Sequence, residues 1–303
     1  MTSLGSEIQQ TFAQTTRYLK GEINLFRALC STFNTLRNGI LAEEYHGARS
    51  HVCFKAMRGA GRSPVRCELA DLLLITYRIN QATSIRLTWL QAKVTTASLH
   101  FGTLGKASKT GGSFSANLEQ WDLLANRPTI WQATNAFVPP PDLLSSSILP
   151  SVGSFGVFYP SRGGFDMAYF VANMLSPLCN NASANGKLCF QSGSYNVIRK
   201  QSGYDEITSC CCLFGFGDAV EREFVGTPVA SLLSSGSPME MATRRDWMRS
   251  LLLGLVAQQP QSMLPENLLE LLGLSGETFH AVPCSQPPAR AVVILRYGDT
   301  DQR

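Results

Sequence analysis

Two apolar runs, Cys67–Tyr77 (CELADLLLITY) and Ile85–Thr95 (IRLTWLQAKVT), are separated only by the mainly polar residues 78–84. Each is short, nearly continuous in apolar residues and bounded by turn-forming ones, the pattern of strands buried on both faces. A strand buried on both faces needs covering layers on either side of its sheet, which points to an α/β fold, with α+β as the alternative. Apolar residues make up 44% of the 303-residue chain and charged residues 16%, enough to fill such a core and too apolar for disorder.

The apolar positions Phe12, Leu19, Ile23, Phe26, Leu29 and Phe33 recur at helical spacings and predict one helix over residues 7–36, stopped at Asn38-Gly39. A short helical piece is expected at Ile40–Tyr45, a strand at His51–Met57, and a helix at Asn117–Ala125. Pro139-Pro140-Pro141 is a stiff connector, so the chain divides into a core of residues 1–137 and an α+β extension of residues 138–303, with one shared domain as the alternative. Within the extension, Gly153–Tyr159 and Phe165–Ala172 read as a hairpin around Pro160–Gly164. Leu188–Phe190, Tyr195–Arg199 and Ser209–Phe214 read as short strands, Met241–Val256 as a helix and Ala291–Tyr297 as a late strand.

Several functional classes lack their signatures. The N-terminus has no continuous apolar h-region, and Ser250–Val256 is far too short to span a bilayer, so a cytoplasmic protein without a membrane partner is expected. Nine cysteines include no CxxC pair. Adjacent Cys210, Cys211 and Cys212 would alternate faces in a strand, which favours reduced thiols over a zinc site. Gly105-Lys106-Ala107-Ser108 lacks the upstream glycine of a P-loop, and Gly153-Ser154-Phe155-Gly156 is not a hydrolase elbow. His46 and His51 read as ordinary surface or hydrogen-bonded histidines, and Trp121, Trp131 and Trp247 as core.

Asp71, Gln91 and Lys93 stand out because a carboxylate, an amide and an ammonium inside apolar strands are costly without partners. Gln91 and Lys93 are two apart and share a strand face, and Asp71 lies on the preceding run. With neighbouring strands about 4.8 Å apart, the three groups can converge.

This arrangement, an aspartate some twenty residues before Gln91-x-Lys93 with apolar strands carrying both, resembles the PD-(D/E)xK nuclease superfamily, and within it the Mrr-type variant with glutamine in place of the second acid. Ala70 stands where that family often has proline. The resemblance covers about residues 5–130. It implies a restriction-endonuclease-like α-β-β-β-α-β core, a mixed sheet flanked by helices, and phosphodiester hydrolysis with Mg²⁺ or Mn²⁺, DNA being the substrate. Asp71, the Gln91 side-chain oxygen and the Ala92 carbonyl would hold the ion, joined by Glu44 or Glu68, and Lys93 would position the attacking water. Lys55, Arg58, Arg62 and Arg66 precede the metal strand and Lys106 and Lys109 follow the second, where they can meet a phosphate backbone. The net charge of +4 permits such a partner without demanding it. Two further expectations stand beside these: a homo-oligomer or protein partner, and a rival in which Gln91 marks a catalytically silent protein that keeps the fold for structural or protein-binding ends.

Overall fold

The structure, a computed structural model, describes residues 3–36, 50–58, 64–78, 85–97, 99, 101, 111–135, 137–161, 163–179, 183–191, 196–258 and 289–297, with the backbone alone for 39–44, 253–258 and 296. Helices α1 (Leu4–Thr16) and α2 (Glu22–Thr35) open the chain. Strands β1 (Gly39–Glu44), β2 (His51–Phe54), β3 (Val65–Glu68), β4 (Leu72–Arg78), β5 (Arg86–Val94) and β6 (Gly112–Asn117) lead into α3 (Leu118–Asn126). There follow β7 (Ile130–Gln132), β8 (Gly153–Ser161), β9 (Gly164–Val171), β10 (Ser176–Pro177), β11 (Asn185–Phe190), β12 (Val197–Gln201) and β13 (Tyr204–Cys210). The remainder is α4 (Leu213–Glu221), β14 (Thr227–Pro228), α5 (Val229–Ser234), α6 (Pro238–Gln258) and β15 (Ala291–Tyr297).

A nine-stranded mixed sheet runs in the order β1-β15-β4-β5-β8-β9-β13-β12, with β14 pairing β5 off that path. The β15–β4 and β5–β8 pairs are parallel and the other pairs antiparallel. Alternation along each strand builds a core on either face. Leu72, Leu74, Leu90, Ala92, Met167 and Val293 pack with α1, α2 and α4. Leu73, Ile75, Trp89, Phe155, Phe170 and Val292 pack with α3, α5 and α6 and with two three-stranded sheets, β10-β11-β6 and β3-β2-β7. The class is therefore mixed α/β, a large sheet flanked by helices. The sheet takes strands from both sides of residue 138, and Phe137, Leu143 and Leu144 share one apolar cluster with Trp89.

Four expectations are corrected. The single helix over 7–36 is two, because the chain turns at Gly21, whose φ of 85° suits glycine and interrupts the helical hydrogen bonds. Where a helical piece is expected at Ile40–Tyr45, residues 40–44 lie in a strand, β1, drawn into the sheet by β15, and residue 45 lies outside the described residues. The run Cys67–Tyr77 is divided: β3 pairs with β2 in a small sheet, Leu69 N–H donates to the Ser50 carbonyl, and only from Leu72 does the chain join the large sheet as β4. Ser209–Phe214 is a strand only to Cys210, since Leu213 begins α4.

The β8–β9 hairpin and β15 lie where the sequence places them. Helix α3 does too, with the Asn117 side chain accepting from the Glu119 and Gln120 amides at its start. After the β4–β5 pair the chain runs through β6, α3 and β7, with β6 and β7 in the two small sheets, before β8 joins the large sheet parallel to β5. The strand beside β4 is not its predecessor β3 but β15, in parallel.

Candidate functional site

The register of three strands sets the site. Leu72 is level with Leu90 and Ala291 is level with Leu72, so Arg290, Asp71 and Gln91 form one row across β15, β4 and β5. Asp71 is the clamp of this row. Its N–H donates to the Leu90 carbonyl (3.1 Å), its carbonyl accepts from Ala291 N–H (2.9 Å), and its Oδ2 accepts from Ala92 N–H (2.9 Å). The side chain is 4% exposed.

Lys93 lies three residues past Leu90, the partner of the first residue of β4, so among the described strands β5 has only β8 beside it there. Its Nζ reaches Glu22 Oε1 at 3.4 Å, in the first turn of α2. On the other side of Asp71, Arg290 Nε stands 3.4 Å from Asp71 Oδ1 and 3.3 Å from Glu68 Oε1, while Nη2 is 3.0 Å from Glu68 Oε2. Burial disfavours the Arg290 charge, but Asp71, Glu68 and Glu22 more than offset that and hold the guanidinium more firmly protonated than usual. Glu22 and Arg290, with Gly21, Ile23 and Asn24, line an open cleft of about 570 Å³.

Gln91 completes the row and is fully buried. Neither its Oε1 nor its Nε2 has a hydrogen-bond partner in the structure. A buried carboxamide with no partner costs about 1–3 kcal/mol, so the fold gains nothing from its polarity. These unused polar atoms, on the strand position level with Asp71, leave a donor and an acceptor available to a ligand.

The sequence-derived residues fall into three groups. Asp71 meets the Ala92 N–H directly, with Gln91 level with it on β5, and Glu68 joins Asp71 through Arg290, because the break after β3 frees it from the alternation that would send it to the opposite face. Lys93 engages Glu22 rather than Asp71. Glu44 ends β1 with its backbone level with Ala291, next to the row; its side chain lies outside the described residues. Among the basic residues, Lys55 and Arg66 are exposed, whereas Arg58 donates to the Ser183 carbonyl at 2.6 Å, and its N–H donates to Asp122. Arg62, Lys106, Lys109 and His46 lie outside the described residues.

Three participants went unrecognised in the sequence. Glu22 is brought in by the turn at Gly21, a glycine that was the available signal. His51, read as an ordinary histidine, pairs directly across from Glu68, and its buried Nδ1 has no hydrogen-bond partner. Arg290 stands 219 positions from Asp71, and no local pattern links them.

Two carboxylates and an amide oxygen are hard oxygen donors, the chemistry that Mg²⁺ prefers. Among the described residues, no three His, Cys, Asp or Glu side chains stand close enough to hold an ion by themselves. An ion here would complete its shell with water and phosphate oxygens. No protein-family profile matches the chain, and no curated protein or solved structure is similar to it. No helix among the described residues is long and apolar enough to cross a membrane.

Proposed function

We propose that the chain is a metal-dependent nuclease that hydrolyses phosphodiester bonds, with DNA as the substrate and a restriction-endonuclease-like core in which β15 takes the place beside β4. The observation that carries this reading is the row of Asp71 and the unpartnered Gln91 on adjacent strands, with Lys93 close by and acids from α2 and β3 around it. When bound, Mg²⁺ or Mn²⁺ would polarise the scissile phosphate and make a bound water more acidic. Asp71 Oδ1, Gln91 Oε1 and Glu68 are the groups to hold it. Lys93, once released from Glu22, supplies a mobile positive charge for the phosphate oxygens, and Glu22 can accept the proton of the attacking water. Arg290 offsets the acids and is the residue that must turn aside when the ion arrives.

A second reading, a catalytically silent protein that keeps the architecture, draws on one observation: Arg290 already satisfies both Asp71 and Glu68. One experiment separates the two. Cleavage of mixed single- and double-stranded DNA is followed with Mg²⁺ and with Mn²⁺, alongside Mn²⁺ uptake by calorimetry. The nuclease reading expects cutting that Asp71→Ala and Lys93→Ala each lower by roughly 10²-fold or more, with Mn²⁺ uptake lost in Asp71→Ala. Cutting that survives both substitutions removes the assigned site, and neither cutting nor uptake by any form establishes the silent reading.

A further inference from the structure

A second cluster of reactive groups lies away from this site, at the junction of β13 and α4. β13 ends at the sealed Cys210, and the chain bends through Cys211 and Cys212 before α4 begins. In a continuing strand those two side chains would diverge. Instead the bend brings their sulfurs to 3.6 Å, with both residues half-buried and so within reach of small solutes. The backbone on either side is fixed. Tyr159 Oη donates to the Cys211 carbonyl (2.8 Å), and Leu213 N–H donates to Asp166 Oδ1 (2.8 Å). Asp166 in turn accepts from Met167 N–H and, through Oδ2, from the Gln9 amide of α1.

We propose that Cys211 and Cys212 are a reversible redox pair, with Cys212 as the thiol that reacts with a hydroperoxide and Cys211 as the one that closes a disulfide onto it. In the first step the Cys212 thiolate attacks the outer peroxide oxygen, the O–O bond breaks, and the leaving alkoxide takes a proton to depart as an alcohol. Cys212 is left as a sulfenic acid. In the second, the Cys211 sulfur attacks the Cys212 sulfur, the S–O bond breaks, and hydroxide leaves with the Cys211 proton as water. Two thiols lose two electrons and the peroxide gains them. A small dithiol reverses the change by exchange.

The roles follow from the surroundings. The Cys211 S–H donates to Cys212 and brings the Cys212 thiol down to about 7, against burial and the Asp166 carboxylate, which push it up. The Cys212 sulfur makes no capping hydrogen bond of normal geometry, yet the first-turn amides of Gly215 and Phe214 also favour its thiolate. Cys211, as the donor, is pushed up, and so are Cys210 and Tyr159, which burial keeps neutral. At neutral pH the pair therefore presents one partly ionised sulfur beside one protonated sulfur.

The test uses the intact native protein. Alkylation by iodoacetamide, followed by peptide mass analysis across pH 5–9 (about two units either side of the thiol's midpoint), should modify Cys212 several-fold faster than the exposed Cys179 at neutral pH. After hydrogen peroxide, the tryptic peptide Gln201–Arg222 should be lighter by two hydrogens and recover its mass with dithiothreitol. Cys211→Ser should stop at a sulfenic acid that dimedone traps, and Cys212→Ser should give neither product. Alkylation of Cys212 no faster than that of Cys179, or a peptide that loses two hydrogens in Cys212→Ser as well, would overturn the proposal.

Discussion

At Gln91 a carboxamide sits in the middle of the sheet with neither its donor nor its acceptor used. Replacing it by methionine keeps length and volume while deleting the unsatisfied atoms. Gln91→Met should therefore raise stability by about 1 kcal/mol in urea unfolding and abolish metal-dependent cutting, the trade expected where a residue is kept for a ligand. A loss of stability would instead show that the amide has a structural partner. The chemistry of this row was legible in the sequence to the extent that it was local. Asp71, Gln91 and Lys93 announce themselves as polar residues in apolar strands, and the placing of Asp71 level with Gln91 follows from strand pairing, whereas Lys93 turns to Glu22. The partners that fix their orientation were not legible: Lys93 is drawn to Glu22 and Asp71 to Arg290, through contacts between segments that no periodicity relates.

Helices α1 and α4 meet backbone to backbone. A Cβ built on Gly5 would stand 2.2 Å from the Phe214 carbonyl oxygen, and one on Gly217 would stand 2.5 Å from the Gly5 Cα. Alanine favours a helix over glycine by about 1 kcal/mol, yet Gly217→Ala must push the two helices apart. We expect a net loss of about 1–3 kcal/mol, read as a lower urea midpoint at unchanged m-value. Two of the errors in reading the elements share one physical origin. A segment's apolar pattern reports that it is buried, while its hydrogen-bond partner decides which element it becomes. Residues 67–77 are apolar apart from Glu68, Asp71 and Thr76, and the change of partner from β2 to β5 within them leaves no mark except Glu68 and Asp71. Residues 40–44 became part of a strand because β15 offered an edge to pair with. Where both partners are local, as in the β8–β9 hairpin, pattern and structure agree.

On the scale of the molecule, β15 is inserted between β1 and β4. Its inward positions, Val292, Val293, Ile294 and Leu295, are divided between the two cores and are all buried. A chain ending at residue 288 would lose both ladders and about half a dozen buried side chains, each worth roughly 1.5–3 kcal/mol, more than a domain's usual margin. It should be unfolded or aggregated by circular dichroism and sedimentation. Adding a synthetic peptide of residues 289–303 in excess should restore part of the helical and sheet signal. The insertion also orders events in time. As the chain leaves the ribosome, α1 to β14 can begin to assemble, but the slot between β1 and β4 stays open, and Asp71 and Glu68 stay without their guanidinium, until residues 290–297 have been made. Completion of the sheet and charge balance at the candidate centre thus arrive in one step, so a chain stalled short of that step presents raw strand edges to the cell's quality control and a centre whose acids lack their counter-charge.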